Sequence, residues 1–334
     1  MKLARIHGPN DVRLDEVPEP VCGPDDAILA VKACGICGSD VGYAKLGGIQ
    51  TRATEPVPIG HELAGVVAEL GQNVRGVQVG DRVVLHPGAA GFGLGSGGPE
   101  GGFTPRLLVR GAAKGLSLFP IPDAMAFEQA ALAEPLGVGM HAVDQAGVGP
   151  GDKVAVLGAG AIGLSAALTL LDRGIEDFCV VDRSSSRLEV ARKLGVGQVV
   201  DAKHEDLWER LGALHGRSEL YGMPLVGTNV FIEATGAGPL LEQVVARCAP
   251  KARVSVVALH RRAVPIDFMT VLMKEMSLVG SIEYPARYET MLELIARRDP
   301  TPMITHRFAL DDFVAAFAVA SSPDAGAKVM IHMD

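Results

Sequence analysis

The residues able to do chemistry in this 334-residue chain form two groups. The first is Cys34-Gly-Ile-Cys37-Gly-Ser39-Asp40, then His61-Glu62 and, far downstream, Glu134. Two cysteines at C-x-x-C spacing can be half of a zinc knuckle, a redox pair, or two buried small thiols. A knuckle needs a second ligand pair nearby, and none follows. A thioredoxin-like pair opens a helix in a βαβ context, for which nothing around Cys34 argues. An isolated His-Glu pair is more often a surface or hydrogen-bonded histidine than a ligand. Taken with Cys37 and Glu134, His61 and Glu62 complete a mixed sulfur, nitrogen and oxygen set. Such donors suit zinc, and a catalytic zinc keeps a position open for water or substrate.

The second group is a glycine-rich turn. Val154–Leu157 is a short apolar run, and Gly158, Gly160 and Gly163 follow at G-x-G-x-x-G spacing. A helical apolar pattern, Ile162–Leu171, comes next. A second apolar run, Phe178–Val181, ends in Asp182, about twenty residues after the glycines. Gly158 allows the tight turn, Gly160 lets a pyrophosphate approach the backbone, and Gly163 lets the helix pack on the sheet. Ala161 and Ile162 begin the helix, whose free N–H groups and dipole favour phosphates. Asp182 can accept from both ribose hydroxyls and repels a 2′-phosphate, which favours NAD over NADP. Arg183 beside it can serve a 2′-phosphate or stack on adenine, and Arg187 completes the expected cofactor contacts.

These groups need elements to carry them. Between residues 1 and about 110, short apolar runs recur between Gly and Pro: Ala27–Ala33, Leu63–Leu70, Arg82–Leu85 and Arg106–Val109. They predict a partly open barrel or sandwich of antiparallel strands. From Glu134 to about Ile282, six apolar runs alternate with helical stretches: Val154–Leu157, Phe178–Asp182, Gln198–Asp201, Asn229–Glu233, Arg253–Ala258 and Leu278–Ser281. Ser185–Leu194 and Gly238–Cys248 are two of the helices. Six strands with helices between them predict a doubly wound parallel sheet of the Rossmann kind, an α/β fold. Ligands bind at the carboxyl ends of such strands, where Glu233–Gly236 and Leu259–His260 also fall. After Ile282 the chain is expected to return to the first domain through helices Tyr288–Arg297 and Asp311–Ala320, the latter capped by Asp311 and Asp312, and a strand at Ala327–His332. The expected domains are 1–135 with 282–334, and 136–281, with a cleft between them.

Composition narrows the function. A 48% hydrophobic content supports real cores, and a net charge of −8 without a basic run argues against nucleic acid and anionic membranes as partners. Five scattered cysteines do not make a disulfide framework. The first residues lack an apolar signal core, so a cytoplasmic protein is expected. About eighteen uncharged residues, 154–171, reach the length of a membrane span. Three glycines near their start and the βαβ context argue against that reading.

Six segments in order carry a resemblance: VKACGICGSD (31–40), PIGHELAGVV (58–67), VGDRVV (79–84), EPLGVGMHAV (134–143), GDKVAVLGAGAIGL (151–164) and the strand ending at Asp182. The chain resembles the zinc-dependent medium-chain alcohol dehydrogenases, nearest the polyol (sorbitol-like) and threonine dehydrogenase branch. The resemblance implies a GroES-like catalytic domain beside the Rossmann domain. It implies an NAD-linked oxidation of a secondary alcohol (a polyol, diol or hydroxy acid), and a homodimer or homotetramer joined by edge strands of the cofactor sheets. Cys37, His61 and Glu134 resemble the zinc ligands. Glu62 resembles the acid that swings onto the metal during exchange. Asp40 resembles the acid that orients the ligand histidine, and Ser39 the hydroxyl that binds the alcohol. Cys34 is read as packing.

Two departures stand out. Relatives carry a histidine five residues after the ligand cysteine, as the outer station of a proton relay, and here Gly42 stands in that place. Water, His86 or Tyr43 are the alternatives. The stretch Pro87–Gly102, where relatives often hold a structural zinc on four cysteines, has none and reads as a flexible glycine-rich loop, so one zinc per chain is expected. Three rival readings compete with the zinc dehydrogenase. A zinc-independent reductase has no need of Cys37, His61 and Glu134 together. An NAD(P)-binding zinc protein with decayed catalysis, acting as a sensor, has only Gly42 in its favour. A purely structural protein has no positive feature. Tyr43, Phe103 and Tyr284 are candidate substrate contacts, each equally readable as apolar packing.

Overall fold

The computed structural model describes residues 1–90, 93–322 and 326–333. It divides into two units, Met1–Glu134 with Arg287–Asp334, and Pro135–Ala286. In chain order the first unit opens with strands β1 (Lys2–Gly8), β2 (Asp11–Glu16) and β3 (Ala27–Ile36), then helix α1 (Gly38–Leu46). Strands β4 (Val57–Pro58), β5 (Glu62–Leu70), β6 (Arg82–Leu85), β7 (Arg106–Val109) and β8 (Leu118–Pro120) follow, then α2 (Phe127–Ala131), and α3 (Ala133–Gln145) runs from the first unit into the second. The second unit carries β9 (Val154–Leu157), α4 (Ala161–Asp172), β10 (Phe178–Asp182), α5 (Ser185–Lys193), β11 (Val199–Asp201) and α6 (Leu207–His215). A hairpin, β12 (Arg217–Leu220) and β13 (Met223–Val226), leads to β14 (Val230–Glu233), α7 (Gly238–Arg247), β15 (Arg253–Val256), α8 (Phe268–Lys274) and β16 (Ser277–Gly280). The chain then returns to the first unit with α9 (Glu289–Arg297), β17 (Ile304–Ala309), α10 (Phe313–Ala320) and β18 (Lys328–His332).

The six-stranded sheet has the order β11-β10-β9-β14-β15-β16 with all neighbours parallel, so the expected doubly wound sheet is present. Its central strands β9 and β14 are buried along their whole length, as strands covered on both faces must be. Helix α4 is uncharged through most of its length because eight of its residues are buried in this unit. That burial accounts for the uncharged stretch, and no helix among the described residues is long and apolar enough to cross a membrane. The hairpin between α6 and β14 has no counterpart among the apolar runs; its residues lack the length and continuous burial of the main strands.

In the first unit a seven-stranded sheet, β17-β18-β3-β5-β6-β8 with β7 also on β3, lies beside a three-stranded sheet, β2-β1-β4. Register decides the chemistry here. Strand β3 pairs antiparallel with β5, setting Cys34 opposite Leu63 and Gly35 opposite Glu62. On its other side β3 pairs with β18, setting Gly35 opposite Met330 and Ile36 opposite Val329. The ends of three strands distant in sequence therefore converge around residues 35–37.

Two local expectations need correction. Asp311 and Asp312 do not cap a helix with their side chains. A 3-10 turn, Leu310–Asp312, precedes α10, so its first amide is already bonded to the Leu310 carbonyl; Asp312 makes no capping bond, and Asp311 pairs with Lys2. The Pro87–Gly102 segment falls partly on Gly91 and Phe92, outside the described residues. Its described part is not an open linker: Gly95 N–H donates to Glu100, Gly98 N–H to Gly93, and Ser96 bridges to Ile59. A side chain at Gly95 would overlap the Gly60 carbonyl, so the backbone packs directly on the turn before His61.

Candidate metal and cofactor sites

Cys37 stands at the N-terminal cap of α1, with extended backbone after β3. Three residues on, Asp40 is fully buried and returns to the cap, where its Oδ2 accepts from the Cys37 N–H at 2.9 Å. Its Oδ1 accepts from the Gly60 N–H at 3.4 Å and lies 3.8 Å from His61 Nδ1. Burial raises the Asp40 carboxyl, against the pull of His61 and the Cys37 N–H. Asp40 thus ties the cysteine's helix to the turn that carries the histidine, and Gly60 makes that turn at φ 95°, pressed against the Phe103 ring.

Candidate donor atoms of Cys37, His61 and Glu62 all lie within 4.8 Å of one another. His61 is buried, and its imidazole reaches the Cys37 sulfur. Burial disfavours a charged ring, yet Cys37, Asp40 and Glu134 outweigh it and hold the imidazole well above its ordinary value. A cluster of anions around one ring is the electrostatic demand that a divalent cation meets. Among the described residues the buried His61 Nδ1 has no hydrogen-bond partner, a costly state that a short movement toward Asp40 would relieve, as in a ligand histidine held from behind. The donor set and this orphaned nitrogen both fit zinc.

Glu134 is buried in the first turn of α3, outside the 4.8 Å set, but close enough to act on the charge of His61, Lys328 and Tyr288. Ser39 is half-buried one position before Asp40. Gly42 lies in the same helix, and Tyr43 packs on the core of this unit. Cys34 is buried, as packing requires. Phe103 is fully buried against Phe313 at 4.8 Å between centroids; it is a core residue and not a substrate contact. His86 stacks on Tyr288 at 4.5 Å, and the Tyr288 hydroxyl donates to the Leu85 carbonyl.

Lys328 is the residue that motif reading missed. It begins β18, buried, and its Nζ donates to both Glu62 oxygens at 2.6 and 2.5 Å and to the Ile36 carbonyl at 3.1 Å. Gly35 makes room for the pair: a Cβ there would overlap a Glu62 oxygen and come within 3.2 Å of Lys328. A lysine inside an otherwise apolar final strand was the available clue.

In the second unit the fingerprint glycines have distinct steric reasons. Gly158 adopts φ 103°, in the left-handed region. A Cβ on Gly163 would overlap the Gly158 carbonyl oxygen, and one on Gly160 would meet nothing within 4 Å. Gly160 therefore faces open space, with Ala161 and Ile162 opening α4 behind it. Asp182 ends β10 and accepts from the Ala159 N–H at 2.6 Å and the Ser184 N–H at 2.8 Å, which fixes its carboxylate against the glycine turn. Arg183 is exposed, and Arg187 is half-buried in the first turn of α5.

Known proteins are similar to this chain over most of its length. Residues 23–123 match the alcohol dehydrogenase GroES-like domain, and residues 161–297 the zinc-binding dehydrogenase domain. The chain is 31% identical to sorbitol dehydrogenase of Bos taurus, with 98% of this chain and 95% of the relative covered. It is also 31% identical to (R,R)-butanediol dehydrogenase of Bacillus subtilis (strain 168), with 94% of each covered. The crystal structure of 2R,3R-butanediol dehydrogenase from Bacillus subtilis superposes with a TM-score of 0.85 at 29% identity, covering 100% of this chain and 99% of that one.

Proposed function

Since the chain belongs to the zinc-dependent medium-chain alcohol dehydrogenases, we propose that it oxidises a secondary alcohol of the polyol or vicinal diol type with NAD, through one zinc ion per chain. The observation that carries this reading is the cluster of half-buried Cys37 with buried His61 and Glu62, and the buried Glu134 close enough to act on His61. A zinc ion held there would supply Lewis acidity, lowering the proton affinity of an alcohol oxygen. NAD would supply the hydride acceptor.

The chain's own residues supply position and proton handling. Cys37, His61 and Glu134 are the proposed permanent ligands, and Glu62, held by Lys328, is the acid that exchanges. Asp40 keeps the His61 ring aimed and its Nδ1–H engaged. Ser39 accepts the hydrogen bond of the substrate hydroxyl and, as it takes that proton, gives its own onward. With Gly42 in place of a relay histidine, that proton passes to water. Asp182, whose carboxylate would repel a 2′-phosphate, supports NAD over NADP. Only two residues separate Cys34 from Cys37, and the remaining cysteines are scattered, which supports a single zinc.

The assembly we propose is a homodimer or homotetramer. Phe268, Met269 and Leu272 of α8, with Leu259 and Ile282, are large and exposed beside the edge strand β16. An apolar surface at an unpaired sheet edge supports pairing with a second copy. All five cysteines are free, which supports a reducing compartment, the cytoplasm.

The test is NADH formation over a panel of polyols, vicinal diols, hydroxy acids and L-threonine, with and without a zinc chelator. Turnover on a polyol or diol that the chelator abolishes is the expected result. Turnover that the chelator leaves intact would overturn the zinc reading.

A further inference from the structure

The order in which strands are added to the cofactor sheet reverses between β9 and β14, and a dinucleotide lies across the carboxyl ends of strands at such a switch point. Asp182 ends β10, on one side of it. With the adenosine ribose on Asp182, the nicotinamide half must lie over the ends of β14 and β15.

A buried polar group that the metal chemistry does not use stands at that place. Glu233, the last residue of β14, is fully buried. Its Oε1 accepts from the Thr235 N–H at 2.8 Å, the Gly236 N–H at 2.9 Å and the Thr235 hydroxyl. Its Oε2 takes His260 Nε2 at 2.8 Å. The Glu233 carbonyl also accepts from the Val257 and Ala258 N–H groups, so this one residue joins the loops after β14 and β15. The His260 side chain is only 14% exposed, and among the described residues its Nδ1 has no protein partner.

The arrangement fixes the ring's chemistry. A carboxylate oxygen accepts, so in this contact the imidazole nitrogen facing Glu233 is the donor. In the neutral ring Nδ1 is then a bare acceptor. The nicotinamide riboside half of the cofactor offers matching donors, a carboxamide NH₂ and two ribose hydroxyls. We propose that His260 is a binding residue for this half of the cofactor, and that Glu233 is its positioning residue. This rests on reading the second unit as a dinucleotide site.

Titration of the full chain with NADH and with ADP, by fluorescence and calorimetry, separates the possibilities. His260→Phe keeps the ring's volume without either nitrogen, and His260→Ala removes ring and nitrogens together. Loss of one buried hydrogen bond should weaken NADH by about tenfold in both variants and leave ADP within about twofold of the parent. His260→Phe binding NADH like the parent would overturn the proposal. Equal weakening of NADH and ADP would also overturn it, showing that the pair is only a strut between loops. His260→Phe is decisive if His260→Ala does not fold. Should the parent bind neither ligand, the dinucleotide reading itself fails and the proposal with it; where the parent binds both, the variants alone decide.

Discussion

Replacing Lys328 by Met isolates the buried charge behind the proposed metal site. The side chains of Lys328 and Glu62 are 2% and 1% exposed, and Nζ meets both carboxylate oxygens. Burial alone would depress the lysine, but Glu62 and Cys37 hold it above its ordinary value, so the ammonium stays charged. Met fills a similar volume and leaves a buried carboxylate without its counter-ion. Removing one member of a buried pair costs about 3–5 kcal/mol. For a unit of this size that corresponds to a melting temperature lower by roughly 6–20 °C. The assay is urea and thermal unfolding of chelator-treated protein, in which no ion can take over the lysine's role. Adding Glu62→Gln to Lys328→Met should recover most of the loss, since a neutral amide is far cheaper to bury than an unpaired charge. Added zinc should rescue the single variant in part, because Glu62 is within reach of the Cys37 and His61 donors. A loss below about 1 kcal/mol for Lys328→Met, or no recovery in the double variant, would contradict the account of a buried, mutually dependent ion pair.

Three further substitutions probe other parts of the molecule. Gly163→Ala places a methyl group on the Gly158 carbonyl, so it should cost about 1–3 kcal/mol and abolish measurable NADH binding by displacing the glycine turn; calorimetry with unchanged NADH affinity would count against this. Glu128 receives a two-pronged bond from Arg307 at 2.8 and 2.9 Å, and those bonds are the largest cause holding its carboxyl below 4.5. Its stabilisation is present above the unfolded value and lost as pH falls through the lower folded one. Glu128→Gln should therefore cost roughly 0.5–1 kcal/mol at pH 7 and progressively less below about pH 4.5, with an equal deficit at all pH values counting against the pair. Leu272→Glu should shift the protein toward monomer in light scattering at unchanged zinc content, and an unchanged molar mass would move the proposed interface elsewhere.

The two sites differ in how legible they are from sequence. The cofactor site is local: strand, glycine turn, helix and Asp182 lie within about thirty consecutive residues, and spacing alone orders them. Each glycine's role follows from a steric fact that spacing encodes, the overlap at Gly163 or the open face at Gly160. Most strands and helices are legible for a similar reason, since apolar runs such as Phe178–Asp182 and Arg106–Val109 end at glycine, proline or charge. Cys37, His61 and Glu134 are readable as a donor set because their residue types are scarce, although no spacing rule joins them.

What spacing does not reveal is contributed by sheet register. Lys328 meets Glu62 only because β18 and β5 flank β3 on opposite sides, and because the residue between them is Gly35. Nothing in the sequence near Glu62 announces a lysine 266 residues away. The same limit explains Phe103, which reads equally as cleft or core until Gly60 and Phe313 are placed against it. It explains His260 as well, since the end of β15 is a foreseeable ligand edge while its bond to Glu233 depends on two loops meeting. Residues that touch the ligand are drawn from scarce types and can be named in advance. Residues that hold those side chains in place are ordinary in type, and only the pairing of strands distinguishes a buried Lys328 from exposed lysines such as Lys193 and Lys251.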